Sequence, residues 1–472
     1  MARIARLGPL TALWAAVAAY AVGFSTLAVL RHDAFSTGRF DLGNMTQAVW
    51  ATAHGHPLRV TDLHGDQITR LGAHVDPILV AFAPPWWLWP SPKLLLVAQC
   101  VAVALGAVPV YRLATRQLGS AVAALCFALA YLVYPATTWM TLDDFHPVAL
   151  ATPLLLFAID ALDEDRLARF GAFAVPAALT KEEIPLVLAA LGVWYAIARG
   201  RRAAGAAVAV AGIAWTALAV GVVIPHFSPE GSAFSGRYDP IGGSPGGVLR
   251  TALTDPLRLL DVAFDRRGLE YLLELVVPLA GLCLLSPIAL AAAPELALNL
   301  LSETKTQQSI HFHYVAGIVP PLVAAAVFGA KRVGPLRAAP LVLVSALAAN
   351  YALGAIPVWR SLPGGAQAHA HDHDVSAHDR IAARALELVP DDAVVSATNS
   401  LGAHLSARRR FLSFPLLGDA TWVAVDEKRL SYLDSVAPGR AVRPLARLRT
   451  NPRWRLVFDD GGVLVFHRAG RP

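Results

Sequence analysis

The chain spaces its ionisable side chains so that short polar clusters interrupt long apolar stretches. The segment Phe40-Asp41-Leu42-Gly43-Asn44-Met45-Thr46-Gln47-Ala48-Val49-Trp50 sets one carboxylate ahead of an amphipathic face made by Met45, Val49 and Trp50. His74 and Asp76 stand two apart in Leu71 to Pro77, and Asp143, Asp144 and His146 crowd into Thr141 to Pro147. Lys181, Glu182 and Glu183 fill Leu179 to Pro185, while Lys305, His311, His313 and Tyr314 lie in Glu303 to Tyr314. Carboxylates so placed can take protons from hydroxyl groups or hold a divalent cation through oxygen. Lysines and histidines beside them can receive a phosphate.

Each cluster also has a plainer reading. Asp41 suits the first turn or cap of an interfacial helix, and His74 suits a backbone hydrogen bond. Asp143, Asp144 and His146 can form a solvated turn capping the next helix, although a turn needs only one such acid. Lys181 can pair with Glu182 or Glu183, an interaction of little value if exposed. His311, His313 and Tyr314 can be an interfacial aromatic group. The run Ala368 to Asp374, AHAHDHD, fits a solvated linker better than a metal site.

The elements that must position these residues are membrane helices. Of 472 residues, 56% are hydrophobic and only 16% charged, and the mean hydropathy is +0.50. That excludes an ordinary cytosolic enzyme, a disordered chain and a basic nucleic-acid binder; the net charge of +6 comes chiefly from arginines flanking apolar runs. Gly8 to Leu30, Leu94 to Tyr111, Gln117 to Leu142, Ala203 to Pro225, His313 to Ala330 and Ala338 to Trp359 each approach the length needed to cross ~30 Å of hydrocarbon. The first is read as a retained helix rather than a cleaved signal. Ile78 to Trp89, with Pro84-Pro85 and three tryptophans, reads as a broken interfacial helix, and Leu272 to Ser302 as two short crossings divided at Pro287. The total expected is about eleven spans.

Positive residues in short loops remain cytoplasmic. Arg3 and Arg6, Arg112 and Arg116, Arg166 and Arg169, Arg199 to Arg202, and Lys331 to Arg337 all fall inside if the N-terminus is inside. The acids, imidazoles, Lys181 and Lys305 then share the outer face, in a large first loop (31–93) and four later ones. A multi-pass domain over 1–359 is therefore expected, followed by an extracytoplasmic α/β domain over 360–472. The tail offers short strands and the turn Asp459-Asp460-Gly461-Gly462, with no nucleotide loop or nucleophile motif; binding an acceptor or covering the membrane site are its natural roles. The glycine-rich Ser228 to Gly247 reads as a mobile cover. Cys100, Cys126 and Cys283 stand alone in apolar runs, which supports neither a disulfide framework nor a zinc site.

The order of these pieces resembles the GT-C type of membrane glycosyltransferases, and within them is most similar to the predicted membrane proteins grouped as domain of unknown function 2079. The likeness rests on Phe40 to Trp50, His74 to Pro77, Asp143 to Pro147, Leu179 to Pro185 and Pro294 to Ser302. It covers Leu13 to Trp359, more loosely the tail. The resemblance implies a mainly α, polytopic bundle in a bacterial plasma membrane that transfers a sugar, with inversion, from a polyprenyl-phosphate donor to an extracytoplasmic glycan, lipid or protein acceptor. It implies Asp41 as the base and Asp143, Asp144 and His146 as a second acidic site. With Asp41, Asp143 and Asp144 as ligands, that site would take Mg or Mn where a metal is used. His74, Asp76, Lys181, Glu182, Glu183, Lys305, His311, His313 and Tyr314 are then candidates for substrate or phosphate. Glu182-Glu183 departs from the small residues and proline that many relatives carry after the Thr-Lys pair, which leaves donor and substrate identity open. The rival readings are a transporter or lipid flippase, for which acids and broken helices belong near mid-bilayer, and a non-enzymatic envelope scaffold.

Overall fold

The structure, a computed structural model, describes residues 4–228, 235–367, 371–431, 433–434 and 442–469. It is mostly helical, at 68% helix. Among the described residues, four single helices are long and apolar enough to cross a bilayer: Gly8–Asp33, Pro92–Leu118, Arg202–Phe227 and Pro335–Leu353. A further apolar pair is bent: Ala121–Leu132 and Pro135–Leu142 meet at 46°, where Pro135 starts a new helix and cannot donate to the old one. Pro77–Leu88, Leu167–Ala178, Ile184–Ala198 and Pro287–Leu300 are apolar but shorter.

Among the described residues, the expected eleven spans are thus not eleven helices of full length. The difference is clearest in Leu272 to Ser302. The stretch divides at Pro287 as expected but not into two unbroken helices: it forms the end of helix Arg266–Val276, the 3-10 turns Val277–Leu279, Leu282–Leu285 and Pro287–Ala292, and helix Ala293–Leu300. Pro278 and Pro287 each remove a donor, and Ala280 and Gly281 both take positive φ, so an α-helix cannot run through. The expected glycine-rich loop also holds more structure than its composition suggests. Residues 229–234 of the proposed cover lie outside the described residues, but beyond them come the amphipathic helices Pro245–Thr254 and Pro256–Ala263.

Small residues set the closest helix contact. Ile184–Ala198 packs along Arg202–Leu218 with Gly192 against the Gly205 carbonyl and Ala209 nitrogen, an approach that any side chain at either glycine would block. At one end of the bundle, fully buried Asp160 receives Arg116 at 2.7 Å, Arg169 at 3.1 Å and Arg112 at 3.2 Å. Helix Pro92–Leu118 begins at the opposite end, where Lys93 pairs with Asp33 at 2.8 Å. Its 27 residues separate the two ends by about 40 Å.

The second end carries the strands. A short hairpin pairs β1 (Arg59–Thr61) with β2 (Gln67–Thr69). The tail folds as a five-stranded sheet in the order β4-β3-β5-β7-β6. Strands β3 (Val395–Ala397), β4 (Phe411–Ser413) and β5 (Trp422–Asp426) are parallel, while β6 (Trp454–Asp460) and β7 (Val463–Arg468) close an antiparallel hairpin. Gly461 and Gly462 have φ of 60° and 90°, the left-handed pair such a turn needs. Helix Ala377–Leu386 starts with a reciprocal Ser376–Asp379 cap and packs Ala382 and Ala385 with Val395, Leu401, Phe411 and Val465.

The first loop docks this sheet onto the bundle. Asn399 Oδ1 accepts from the Arg39 and Phe40 nitrogens at 2.9 and 3.3 Å, Gln47 Nε2 donates to the Arg408 and Arg409 carbonyls at 3.2 and 3.3 Å, and Arg429 donates to the Ala34 carbonyl at 2.8 Å. The His32 and His404 rings stack 3.9 Å apart across the same seam.

Candidate functional site

Asp41 does not cap the helix that follows it. It sits in a π-helical turn, Arg39–Gly43, and the helix Asn44–Ala53 begins afterwards with no side-chain cap. Widening one turn rotates a side chain out of the ordinary helical register. The released carboxylate lies 3.2 Å from His146 Nε2 and is about half exposed. Met45 and Val49 are buried beneath it, so the amphipathic face anchors the turn.

The second loop is held just as firmly. Gln99 Nε2 donates to the carbonyls of Met140 and Thr141, both at 3.2 Å, and of Asp144 at 2.6 Å, while its Oε1 accepts from the His146 nitrogen at 2.9 Å. One buried amide thereby satisfies the polar backbone that a helix-ending turn exposes. Asp144 takes φ of 42°, a left-handed geometry that aspartate tolerates better than most residues. Its Oδ2 accepts from the Gly38 nitrogen at 2.8 Å, which ties the first loop to the second. Gln99 escaped the sequence analysis, although a lone amide inside the apolar run Val97-Ala98-Gln99-Cys100 is the signal that marks it.

Asp143 turns toward the fifth loop. Its Oδ2 accepts from both the backbone nitrogen and Nδ1 of His313, at 2.8 and 2.9 Å. The His313 ring stacks on His146 with centroids 3.6 Å apart. His146 Nδ1 donates to the Asp143 carbonyl at 2.8 Å, leaving Nε2 directed at Asp41. Burial opposes charge on His146, but the carboxylates of Asp143 and Asp41 outweigh it and raise the pKa to about 9. Burial, followed by the neighbouring positive His146 and Lys181, holds His313 well below its ordinary range. The two stacked imidazoles are thus pushed in opposite directions, His146 toward the cation and His313 toward the neutral ring. Burial and the nearby Asp41 carboxylate push Asp144 up to about 7, against the pull of Arg31 and the Gly38 amide.

The three carboxylates border a cavity of about 340 Å³. Asp41, Asp143 and Asp144 lie on its wall with His311 and Trp139, and the tail contributes Asn399, Ser400, Arg429 and Ser431. His311 is oriented by Ser309 Oγ at 2.9 Å and tilts against Trp139.

A second polar group adjoins the first through Tyr314, whose ring lies 4.2 Å from that of His313. The Lys181 ammonium stands 5.3 Å and the Arg237 guanidinium 5.8 Å from the Tyr314 centroid, within cation–π range. Lys181 also binds Glu183 at 2.6 Å. Burial disfavours its charge, yet Glu183 and Glu182 overcome this and lift its pKa above the usual lysine value. Arg237, hidden in the glycine-rich loop, was not among the sequence candidates.

The remaining candidates divide. His74 binds Glu182 at 2.8 Å and the Val75 nitrogen donates to the same carboxylate at 2.9 Å. Although burial opposes it, this contact with His74, assisted by Lys181, lowers Glu182 to about 2. Asp76 is buried in a pair with Arg70 at 2.6 Å. His74 and Val75, through Glu182, pin the first loop to the Leu179 to Pro185 turn, while the Arg70–Asp76 pair braces the loop internally. Lys305 is exposed and is not on the wall of that cavity. The expected metal-ligand set also differs from the one brought together. Asp143, His146 and His313 present ligand atoms all within 4.8 Å of one another, whereas Asp144 turns to Gly38 and Asp41 joins only through His146.

No curated protein matches the chain in sequence. Among solved structures, it is similar to ArnT from Cupriavidus metallidurans bound to undecaprenyl phosphate, with a TM-score of 0.55 and 13% identity over 95% of this chain and 97% of that one. The apo form of the same protein gives a TM-score of 0.51 at 13% identity, over 97% of this chain and 98% of that one. At this identity the likeness is one of fold, and the fold is the ArnT-like GT-C arrangement. A family model described as predicted membrane protein (DUF2079) matches residues 31–451, from the first loop through most of the tail. The chain belongs to that family of membrane proteins.

Proposed function

We propose that this protein transfers a sugar from a polyprenyl-phosphate donor to an acceptor on the extracytoplasmic side, with Asp41 as the base. The observation that carries the reading is convergence: loops far apart in sequence bring Asp41, Asp143 and Asp144 to one cavity at one end of the bundle, opposite the arginine-rich end. Because basic loops remain cytoplasmic, that cavity faces outward. In an inverting transfer Asp41 accepts the acceptor hydroxyl proton as the oxygen attacks the anomeric carbon. The bond from that carbon to the phosphate oxygen breaks, and polyprenyl phosphate departs with the electron pair. Lys181 and Arg237 beside Tyr314 supply positive charge for the leaving phosphate. The undecaprenyl phosphate bound to the similarly folded ArnT supports a carrier of this class.

A cation is compatible with the site through Asp143, His146 and His313. Two imidazoles and one carboxylate suit zinc or manganese better than magnesium, which prefers oxygen ligands. Such an ion would polarise a bound oxygen beside the cavity. It must also displace the proton held on His146.

The test is Asp41→Asn in the full chain, with glycan and lipid products followed by mass spectrometry in a deletion background. Loss of a general base costs roughly 10²- to 10⁴-fold in rate. Unchanged product at normal protein abundance would remove Asp41 from the mechanism.

A further inference from the structure

The three parallel strands of the tail, β4, β3 and β5, end at a common edge. In open α/β sheets ligands bind beyond the carboxyl ends of parallel strands, where successive loops diverge and leave a crevice. Here the residues following β3 and β5 form part of the wall around the Asp41 cavity: Asn399 and Ser400 after the first, Arg429 and Ser431 after the second. Asn399 and Arg429 are engaged in docking, through Arg39, Phe40 and the Ala34 carbonyl. Ser400 is different. It is 9% exposed, lies on the cavity wall, and its hydroxyl has no partner among the described residues. Arg31, on the same wall, likewise has a buried Nε without a partner among them. Unsatisfied buried polar atoms are uncommon, and two on one cavity mark a place for a ligand rich in hydrogen-bonding groups.

The chemistry of the wall narrows the ligand. Carboxylates on the bundle side accept from hydroxyls, whereas Ser400 on the tail side and Arg31 donate. Trp139 adds an aromatic face. A saccharide ring, with hydroxyls that donate and accept around an apolar face, satisfies all three.

We infer that the carboxyl edge of the tail sheet is the acceptor subsite, and that it takes a saccharide unit held between Ser400 and the Asp41 loop. The inference rests on the glycosyl-transfer reading for the term acceptor, but the binding site itself can be measured apart from it. The full-length protein in nanodiscs would be titrated with methyl glucoside, methyl N-acetylglucosaminide and methyl arabinoside by ligand-observed NMR, and with undecaprenyl phosphate by native mass spectrometry. At least one glycoside should bind. Ser400→Ala, which removes the hydroxyl without adding volume, should weaken it about three- to tenfold. Ser400→Leu should abolish binding, and both variants should hold undecaprenyl phosphate within about twofold of the parent as a check on folding. If the parent binds none of the glycosides, or Ser400→Ala binds them as tightly as the parent, the subsite is refuted. Retained undecaprenyl phosphate would then leave the transfer reading standing. If the glycosides respond to Ser400 but undecaprenyl phosphate does not bind the parent, the subsite stands and the polyprenyl-phosphate reading falls.

Discussion

His146 offers the sharpest quantitative test, because its charge depends on Asp143 of its own loop and on Asp41 brought to it by the first loop. Its pKa rises from 6.5 to about 9 in the folded protein, despite burial, because Asp143 and Asp41 face it. Between those values the native protein keeps a proton that the unfolded chain has released. The stabilisation is therefore complete below about pH 6.5, declines as pH rises, and is gone above about pH 9. A shift of this size is worth about 3 kcal/mol, and the ring is only 8% exposed, so solvent screening takes away little of it. The perturbation is Asp143→Asn, which removes the largest of the groups that raise the pKa while keeping a side chain of the same shape. Selective ¹³C-imidazole labelling would follow His146 in nanodiscs from pH 5 to 10. In the parent its midpoint should lie near 9, and in Asp143→Asn it should fall by at least one unit. Thermal unfolding should lose stability between pH 6.5 and 9 in the parent and change far less in His146→Gln. A parent midpoint at or below 6.5 would mean that Asp41 of the first loop does not meet the second loop as described, and one indifferent to Asp143→Asn that Asp143 does not face His146.

Two further outcomes follow from the same geometry. Zinc or manganese should bind with the release of a proton from His146, so that affinity climbs by up to about tenfold per pH unit below pH 9; calorimetry in buffers of different ionisation enthalpy measures that proton, and His313→Ala should weaken binding by tenfold or more. Lys181→Met should reduce retention of undecaprenyl phosphate, read by native mass spectrometry, by about tenfold, as expected for losing a charge-assisted contact; unchanged retention would take Lys181 out of the phosphate site.

Much of the molecule was legible along the chain because hydrophobic length and arginine position are local properties. Gly8 to Leu30 and Ala203 to Pro225 lie within single helices, since lipid forces backbone groups to pair within their own segment. The polar clusters that interrupt those runs were legible for the same reason, since a charge at a helix end is costly without a use. Pairing was not. Nothing near Asp143 in sequence announces His313, 170 residues away, and nothing near His74 announces Glu182. Hydropathy could not show that Leu272 to Ser302 would break into turns, because the neighbours that accept its freed backbone come from elsewhere in the bundle. The roles of Gln99 and Arg237 were equally hidden: an amide in a helix and an arginine in a loop acquire meaning only from what they face. Sequence alone determined a membrane bundle with reactive groups at its helix ends. Tertiary structure decided which of those groups share a cavity, which merely fasten loops, and that the tail sheet completes the wall, because electrostatic and hydrogen-bonding partners are chosen by proximity in space.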